Sequence, residues 1–277
     1  MPSISTPSKI EGTRSQGAIL HFSGSTAAER EAVVADVIKQ TGATLIPPYD
    51  HPHIILGQGT MGLDFESEVA ELLKKNPHLS IHNQSAAQAQ RHLDAIIAPC
   101  GGGGMLSGIA THFHDSPTAV YGAEPSFQGA DDARRGVASN SRITAVKTLT
   151  IADGLRTPLG DHTWRIISDP AYVAGLYAVT EDNIKDALRL VLERMKCFVE
   201  PSAVVGLATV LYNEEFRRMV EREAGEEGWD VGLVFSGGNT TVEALVKMFG
   251  DVGEREAERE EGVLGKDGGR VAENVAG

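Results

Sequence analysis

The chain reads as an α/β protein, a parallel sheet with helices on both faces, and three observations carry that reading. Apolar runs short enough for buried strands recur at Leu93 to Pro99, Ala119 to Ala123 and Val231 to Phe235, separated by stretches with helical apolar spacing. Residues 17–46 read as strand, helix, strand, the order of a parallel crossover unit. Just past the carboxyl ends of the three later runs stand residues suited to a ligand, Gly101, Glu124 and Ser236. Ligands in such sheets sit beyond the carboxyl ends of the strands.

Taken in order, Ala18-Ile19-Leu20-His21-Phe22 is the first apolar run, and Thr26-x-x-Glu29 is a capping box. Val33, Val34, Val37 and Ile38 give the next helix its apolar face, and Gly42 stops it. Ala43 to Ile46 reads as the next strand, before Pro47-Pro48. Gly57-Gln58-Gly59-Thr60 reads as a turn at a domain hinge, followed by a helix with Met61, Phe65, Val69 and Leu72 on one face. Asn76 to Arg91, rich in Gln and His, reads as an extended loop, and Met105 to Phe113 as a helix. Thr180 caps a helix carrying Ile184, Leu188, Leu192 and Met195, with Glu181 and Asp182 at its positive end. Another helix runs from about Ala203 to Glu221, and one begins at Gly237, where Ser236 is placed to cap it. Residues 251–277 lose apolar periodicity and read as a mobile tail.

Composition limits the function classes. With 277 residues, 41% hydrophobic and 23% charged, the chain has room for one large domain or two small ones. A net charge of -13 disfavours nucleic acid and anionic membranes as partners and leaves a small molecule as the better fit. No apolar run is long enough to span a bilayer, and Met1 opens no signal-peptide pattern, so the expected compartment is the cytosol. Two cysteines, Cys100 and Cys197, support neither a disulfide framework nor a zinc site built on thiolates. Cys100 reads as a small packed residue. The pairs His51/His53 and His112/His114 match no metal-helix spacing.

The stretch Ala98-Pro99-Cys100-Gly101-Gly102-Gly103-Gly104-Met105-Leu106-Ser107-Gly108 joins a strand to a helix start through four glycines. Such a junction aims backbone N–H groups outward at the positive end of the helix, with no Cβ to hold an anion off. A phosphate-bearing cofactor is its natural occupant, and a flexible linker is the alternative reading. No Lys-Ser or Lys-Thr comes after it, so it is not a Walker A loop, and it lacks the dinucleotide spacing.

With that loop stand Gly57-Gln58-Gly59-Thr60, Tyr121-Gly122-Ala123-Glu124-Pro125, Ala152-Asp153-Gly154-Leu155, Glu200-Pro201-Ser202-Ala203 and Ser236-Gly237-Gly238-Asn239. In this order they resemble the motifs of the fold-type-II pyridoxal-phosphate enzymes, the serine racemase and serine/threonine dehydratase family, over about residues 1 to 250. The resemblance implies a tryptophan-synthase-β-like fold, incomplete at the N-terminus. It assigns 1–53 to the remainder of a small domain and 54–250 to the large cofactor domain, with 251–277 as an acidic tail. It implies that Gly101, Gly102, Gly103, Gly104 and the Met105 amide hold the phosphate of pyridoxal 5'-phosphate, and that Ser236 faces the pyridine nitrogen. Glu200 would tune proton transfers or be only structural. Glu124, the Ala130 carbonyl and Asp132 would hold Mg or Ca, hard oxygen donors for a hard cation, or be two solvated acids and nothing more.

The family's Schiff-base lysine, in a Ser-x-Lys setting ahead of a Ser/Gly/Asn loop, has no counterpart here. Met1-Pro2 with Pro7-Ser8-Lys9 resembles a stretch downstream of both elements. The expectation is therefore a family member without its first third, inactive alone, whose complete form would act on L-serine or L-threonine by elimination or racemisation. Two other readings stand beside it. One is a noncatalytic cofactor-binding protein or the subunit partner of a complete relative, in a homo- or hetero-dimer; the other is a chain that does not fold stably.

Overall fold

The computed structural model describes residues 1–24, 27–82 and 92–250. The chain divides into two compact units, Met1–Gly238 and Asn239–Gly277. The first is built on four parallel strands, β1 (Ala95–Pro99), β2 (Ala119–Pro125), β3 (Gly175–Val179) and β4 (Val231–Leu233), in the order β3-β2-β1-β4. The pleat sends alternate side chains to opposite faces. Ile96, Ala98 and Val120 pack under α4 (Gly104–Phe113) with Leu106, Ile109 and Phe113, around buried Cys100. On the other face Gly206 of α8 (Val205–Tyr212) lies over Ile97, and Tyr121 meets Phe216 of α9 (Glu214–Ala224) edge-on, ring centroids 5.8 Å apart. Both faces are covered, which is why β1 is buried along its whole length.

The remaining helices are α1 (Pro7–Ser15), α2 (Ala27–Thr41), α3 (Pro52–Lys75), α5 (Asp132–Ala138), α6 (Asp161–Ile167) and α7 (Glu181–Leu190). Thr180 caps α7, its hydroxyl accepting from the Asn183 N–H at 3.2 Å, and Gly42 ends α2 with φ +71°. The expected helix from Ala203 to Glu221 is two helices broken at Asn213, whose side chain accepts from the Phe216 N–H at 2.9 Å and so starts α9 afresh.

Several expectations are corrected. Gly57–Thr60 is no hinge turn: all four residues lie inside α3, which begins at Pro52. A Cβ on Gly59 would stand 2.9 Å from the Gly108 carbonyl oxygen, and one on Gly108 2.4 Å from that of Ile55. The glycines therefore serve the close approach of α3 and α4. Residues 18–22 and 43–46 form no strands; Ile19 is 85% exposed and Ile46 71% exposed. A strand needs a ladder, and among the described residues neither segment has one; the isolated bridge beside them, Pro2 to Ser23, involves neither. The Val231 run pairs over three residues, with the Val234 N–H adding one bond to Ile97, and β3 was not anticipated. No helix begins at Gly237: in the second unit a helix occupies 242–250, and Thr241 caps it through the Ala244 N–H. Ser236 is thus not its cap. The expected tail at 251–277, the Thr26 cap and most of the Asn76–Arg91 loop lie outside the described residues.

Candidate cofactor site

The glycine loop adjoins β1 directly and becomes the first turn of α4. Gly103 is the N-cap, with φ +84°, a left-handed conformation that glycine adopts without strain. The Ser107 N–H donates to the Gly103 carbonyl at 2.8 Å, so the amides of Gly104, Met105 and Leu106 precede the first intrahelical bond. Among the described residues they have no acceptor. One turn further along, the Ser107 hydroxyl is buried and also lacks a partner among the described residues. Free amides at a positive helix end fit an oxyanion such as a phosphate ester.

The walls of the loop come from distant segments. A Cβ on Gly102 would lie 2.7 Å from the Tyr49 ring, and one on Gly101 2.8 Å from Leu155 Cα. Thr163 of α6 donates its hydroxyl to the Gly102 carbonyl at 2.9 Å. Asp50, next to Tyr49, accepts from the N–H groups of Asp161, His162 and Thr163 at 2.9, 2.8 and 3.2 Å, capping α6 from 111 residues away. Lys9 of α1 donates to Asp153 at 2.7 Å, at the turn that backs Gly101. Tyr49, Asp50, Thr163 and the Lys9–Asp153 pair were not singled out by sequence. Pro47-Pro48 was the one local signal, since two prolines stiffen the chain just before Tyr49 and Asp50.

Glu200 and the Ser236 segment meet at the same end of the sheet. The Glu200 N–H donates to the Gly237 carbonyl at 3.0 Å, and a Cβ on Gly237 would stand 3.3 Å from Glu200 Oε1. The Gly154 N–H donates to Ser202 Oγ at 3.0 Å, and a Cβ on Gly154 would lie 3.7 Å from Glu200 Oε1. A continuous series of contacts thus runs from Gly101 through Gly154 to Glu200 and Gly237, with Ser236 beside it.

Glu124 is the next-to-last residue of β2 and is fully buried. Its two oxygens accept the N–H groups of Ala133 and Arg134 at 3.0 and 2.8 Å, at the start of α5. Burial pushes its carboxyl well above the usual range, and the neighbouring Asp132 adds to the shift. Asp132 is itself raised to about 6 by burial. Ala130, 1% exposed, lies between the two acids in sequence, after a bend with φ +52° at Gln128 and +79° at Gly129. The two acids are thus both buried, and the charge of Asp132 raises the Glu124 carboxyl further. Cys100, buried near these acids, has its thiol pushed well up, which keeps it protonated and suits packing rather than attack.

Residues 1–237 match the family described as pyridoxal-phosphate dependent enzyme. The chain belongs to that family. It is 34% identical over 239 residues to a serine racemase of Oryza sativa subsp. indica, covering 86% of this chain and 62% of that protein. It is similar to the structure of maize serine racemase with TM-score 0.72 and 33% identity, over 92% of this chain and 70% of that one. A threonine deaminase from T.th. matches with TM-score 0.65 and 36% identity, over 85% of this chain and 68% of that one. The chain thus spans less than two thirds of the length of the rice relative, and its parallel sheet is the family's fold.

Proposed function

We propose that this chain is the phosphate-gripping part of a pyridoxal-phosphate amino-acid racemase or ammonia-lyase with serine or threonine as substrate class. The observation that carries the reading is the set of unengaged amides from Gly104 to Leu106 behind a side-chain-free loop. The names of the similar proteins, serine racemase and threonine deaminase, support the substrate class. When bound, the cofactor supplies an electron sink for chemistry at the amino-acid α-carbon. The chain's own part is binding and tuning. Gly101, Gly102, Gly103, Gly104 and Met105 hold the phosphate. Ser236 offers the pyridine nitrogen a neutral hydroxyl, which keeps the ring a moderate electron sink, and Glu200 stands where a carboxylate adjusts proton transfers. Glu124, Ala130 and Asp132 take Mg or Ca and thereby fix the end of β2 beside Cys100. No helix among the described residues is long and apolar enough to cross a membrane.

The test separates grip from covalent capture. Calorimetry with pyridoxine 5'-phosphate, which has no aldehyde, is expected to show saturable binding, and unphosphorylated pyridoxine none. Equal affinity for the two would remove the phosphate cradle from the proposal. Turnover of L-serine is expected to be absent, because no lysine in a Ser-x-Lys setting ahead of a Ser/Gly/Asn loop lies within these residues. Keto-acid release by the purified chain would overturn that part alone.

A second reading, a subunit that works with a complete relative, is favoured by one observation. Ile19, Leu45 and Ile46 line an open cavity of about 370 Å³ against Val33 and Val37 of α2, and all three are more than half exposed. Light scattering of the chain alone and after co-expression with a complete relative tests it: a mixed dimer is the expected result, and a strict monomer in both cases defeats it.

A further inference from the structure

The sheet's other end carries a cluster of different chemistry. Asp94 immediately precedes β1 and Asp230 immediately precedes β4, and the parallel register Ala95 to Val231 sets them side by side. The Asp94 N–H donates to the Asp230 carbonyl at 3.0 Å, and Asp94 Oδ2 accepts the Asp230 N–H at 2.6 Å. His82 reaches the pair from outside the sheet, its Nε2 at 2.8 Å from Asp94 Oδ2. One ligand atom from each of His82, Asp94 and Asp230 lies within 4.8 Å of the other two.

We propose that His82, Asp94 and Asp230 bind a divalent transition-metal ion, with zinc as the occupant. Three arguments carry this. Asp230 Oδ1 accepts the Ile81 N–H at 3.3 Å, but Asp230 Oδ2 is buried and accepts no hydrogen bond among the described residues. A buried carboxylate oxygen in that state is costly, and a cation among the three side chains would satisfy it. Charge points the same way. Among the described residues neither Asp94 nor Asp230 has a Lys or Arg ion-pair partner, so a proton on His82 would balance only one of them, whereas a dication balances both. Glu227, the other charge facing His82, adds a further negative field. Third, one imidazole nitrogen and two carboxylates are a three-ligand set of the kind zinc takes with water in its fourth position. A tetrahedral zinc with bonds of about 2.0–2.1 Å holds its ligand atoms about 3.3 Å apart, so the His82–Asp94 hydrogen bond opens by roughly half an ångström on binding. The ladder fixes the strand ends that carry Asp94 and Asp230, so closing the site takes only side-chain rotation and a shift of His82. This site is independent of the phosphate loop, which lies at the opposite ends of the same strands.

The test uses the full chain, stripped with a chelator and then saturated with Mg²⁺ to fill the hard-oxygen site at Glu124. Zinc calorimetry is expected to give about one equivalent with micromolar affinity. Asp230→Asn and His82→Gln are each expected to weaken it at least tenfold while circular dichroism stays that of the parent. Cobalt, as a spectroscopic stand-in, is expected to show visible ligand-field bands without a thiolate charge-transfer band. The proposal is overturned by an absence of saturable zinc uptake, as when His82 simply carries a proton. Undiminished uptake by Asp230→Asn, or a thiolate band that disappears in Cys197→Ser, overturns it equally.

Discussion

Asp50 does at one position what a local cap cannot: it holds the start of α6 and, through Tyr49 beside it, the roof of the glycine loop. Removing its carboxylate leaves three amides of α6 without their acceptor, so Asp50→Ala is expected to lower stability by about 1–2 kcal/mol, and Asp50→Asn by less. Urea titration of the three proteins measures this; equal midpoints would show that the cap is idle. Asp132 carries a pH prediction. Its folded-state pKa is about 6 against an ordinary value of 3.8, so between these values the folded protein keeps a proton that the unfolded chain has released. Stability therefore falls as pH rises through that window, and the full penalty stays above it. In a chelator, the melting temperature of the parent relative to Asp132→Asn is expected to drop across the window, and Ca²⁺ or Mg²⁺ to abolish the drop. A difference independent of pH would contradict the burial. At this scale the residues proposed to bind phosphate stood out as candidates because the chemistry proposed for them is backbone chemistry, written locally in four consecutive glycines. Tyr49, Thr163 and the Lys9–Asp153 pair did not, since each acts on a residue far along the chain.

Between elements, the decisive contact is α3 against α4. A Cβ on Gly108 would meet the Ile55 carbonyl oxygen at 2.4 Å and the Gly59 amide nitrogen at 2.5 Å, both backbone atoms that cannot swing aside. Gly108→Ala is therefore expected to push α3 outward and to destabilise by about 1–3 kcal/mol, visible as a lowered denaturation midpoint with the helical signal retained. An unchanged midpoint would mean the helices are not in close contact. The same pair explains a misreading: Gly59 resembles a turn residue in sequence, yet its missing side chain serves packing between helices, which neighbouring residues do not announce, while a Cβ on Gly57 would meet open space. The apolar runs at 18–22 and 43–46 misled for the opposite reason. Their composition is that of strands, but pairing is a property of the neighbour, and among the described residues neither run has one.

Across the first unit, core and edge are unequally built. The buried apolar side chains of β1, β2 and α4 form one continuous cluster, whereas α1 contains no buried residue and Ile19, Leu45 and Ile46 stand largely in solvent. Segments with few buried contacts open at low free energy and are cut first by proteases. Among the described residues, thermolysin under native conditions is expected to cleave first within 17–46, leaving Tyr49, Asp50 and the segments 153–163 that frame the glycine loop in the resistant fragment. Mass spectrometry of the early fragments decides the matter. First cuts inside α3 or α4 would mean that the loop's supporting helices are no firmer than the edge, and the cradle would then lack the rigidity that phosphate binding demands.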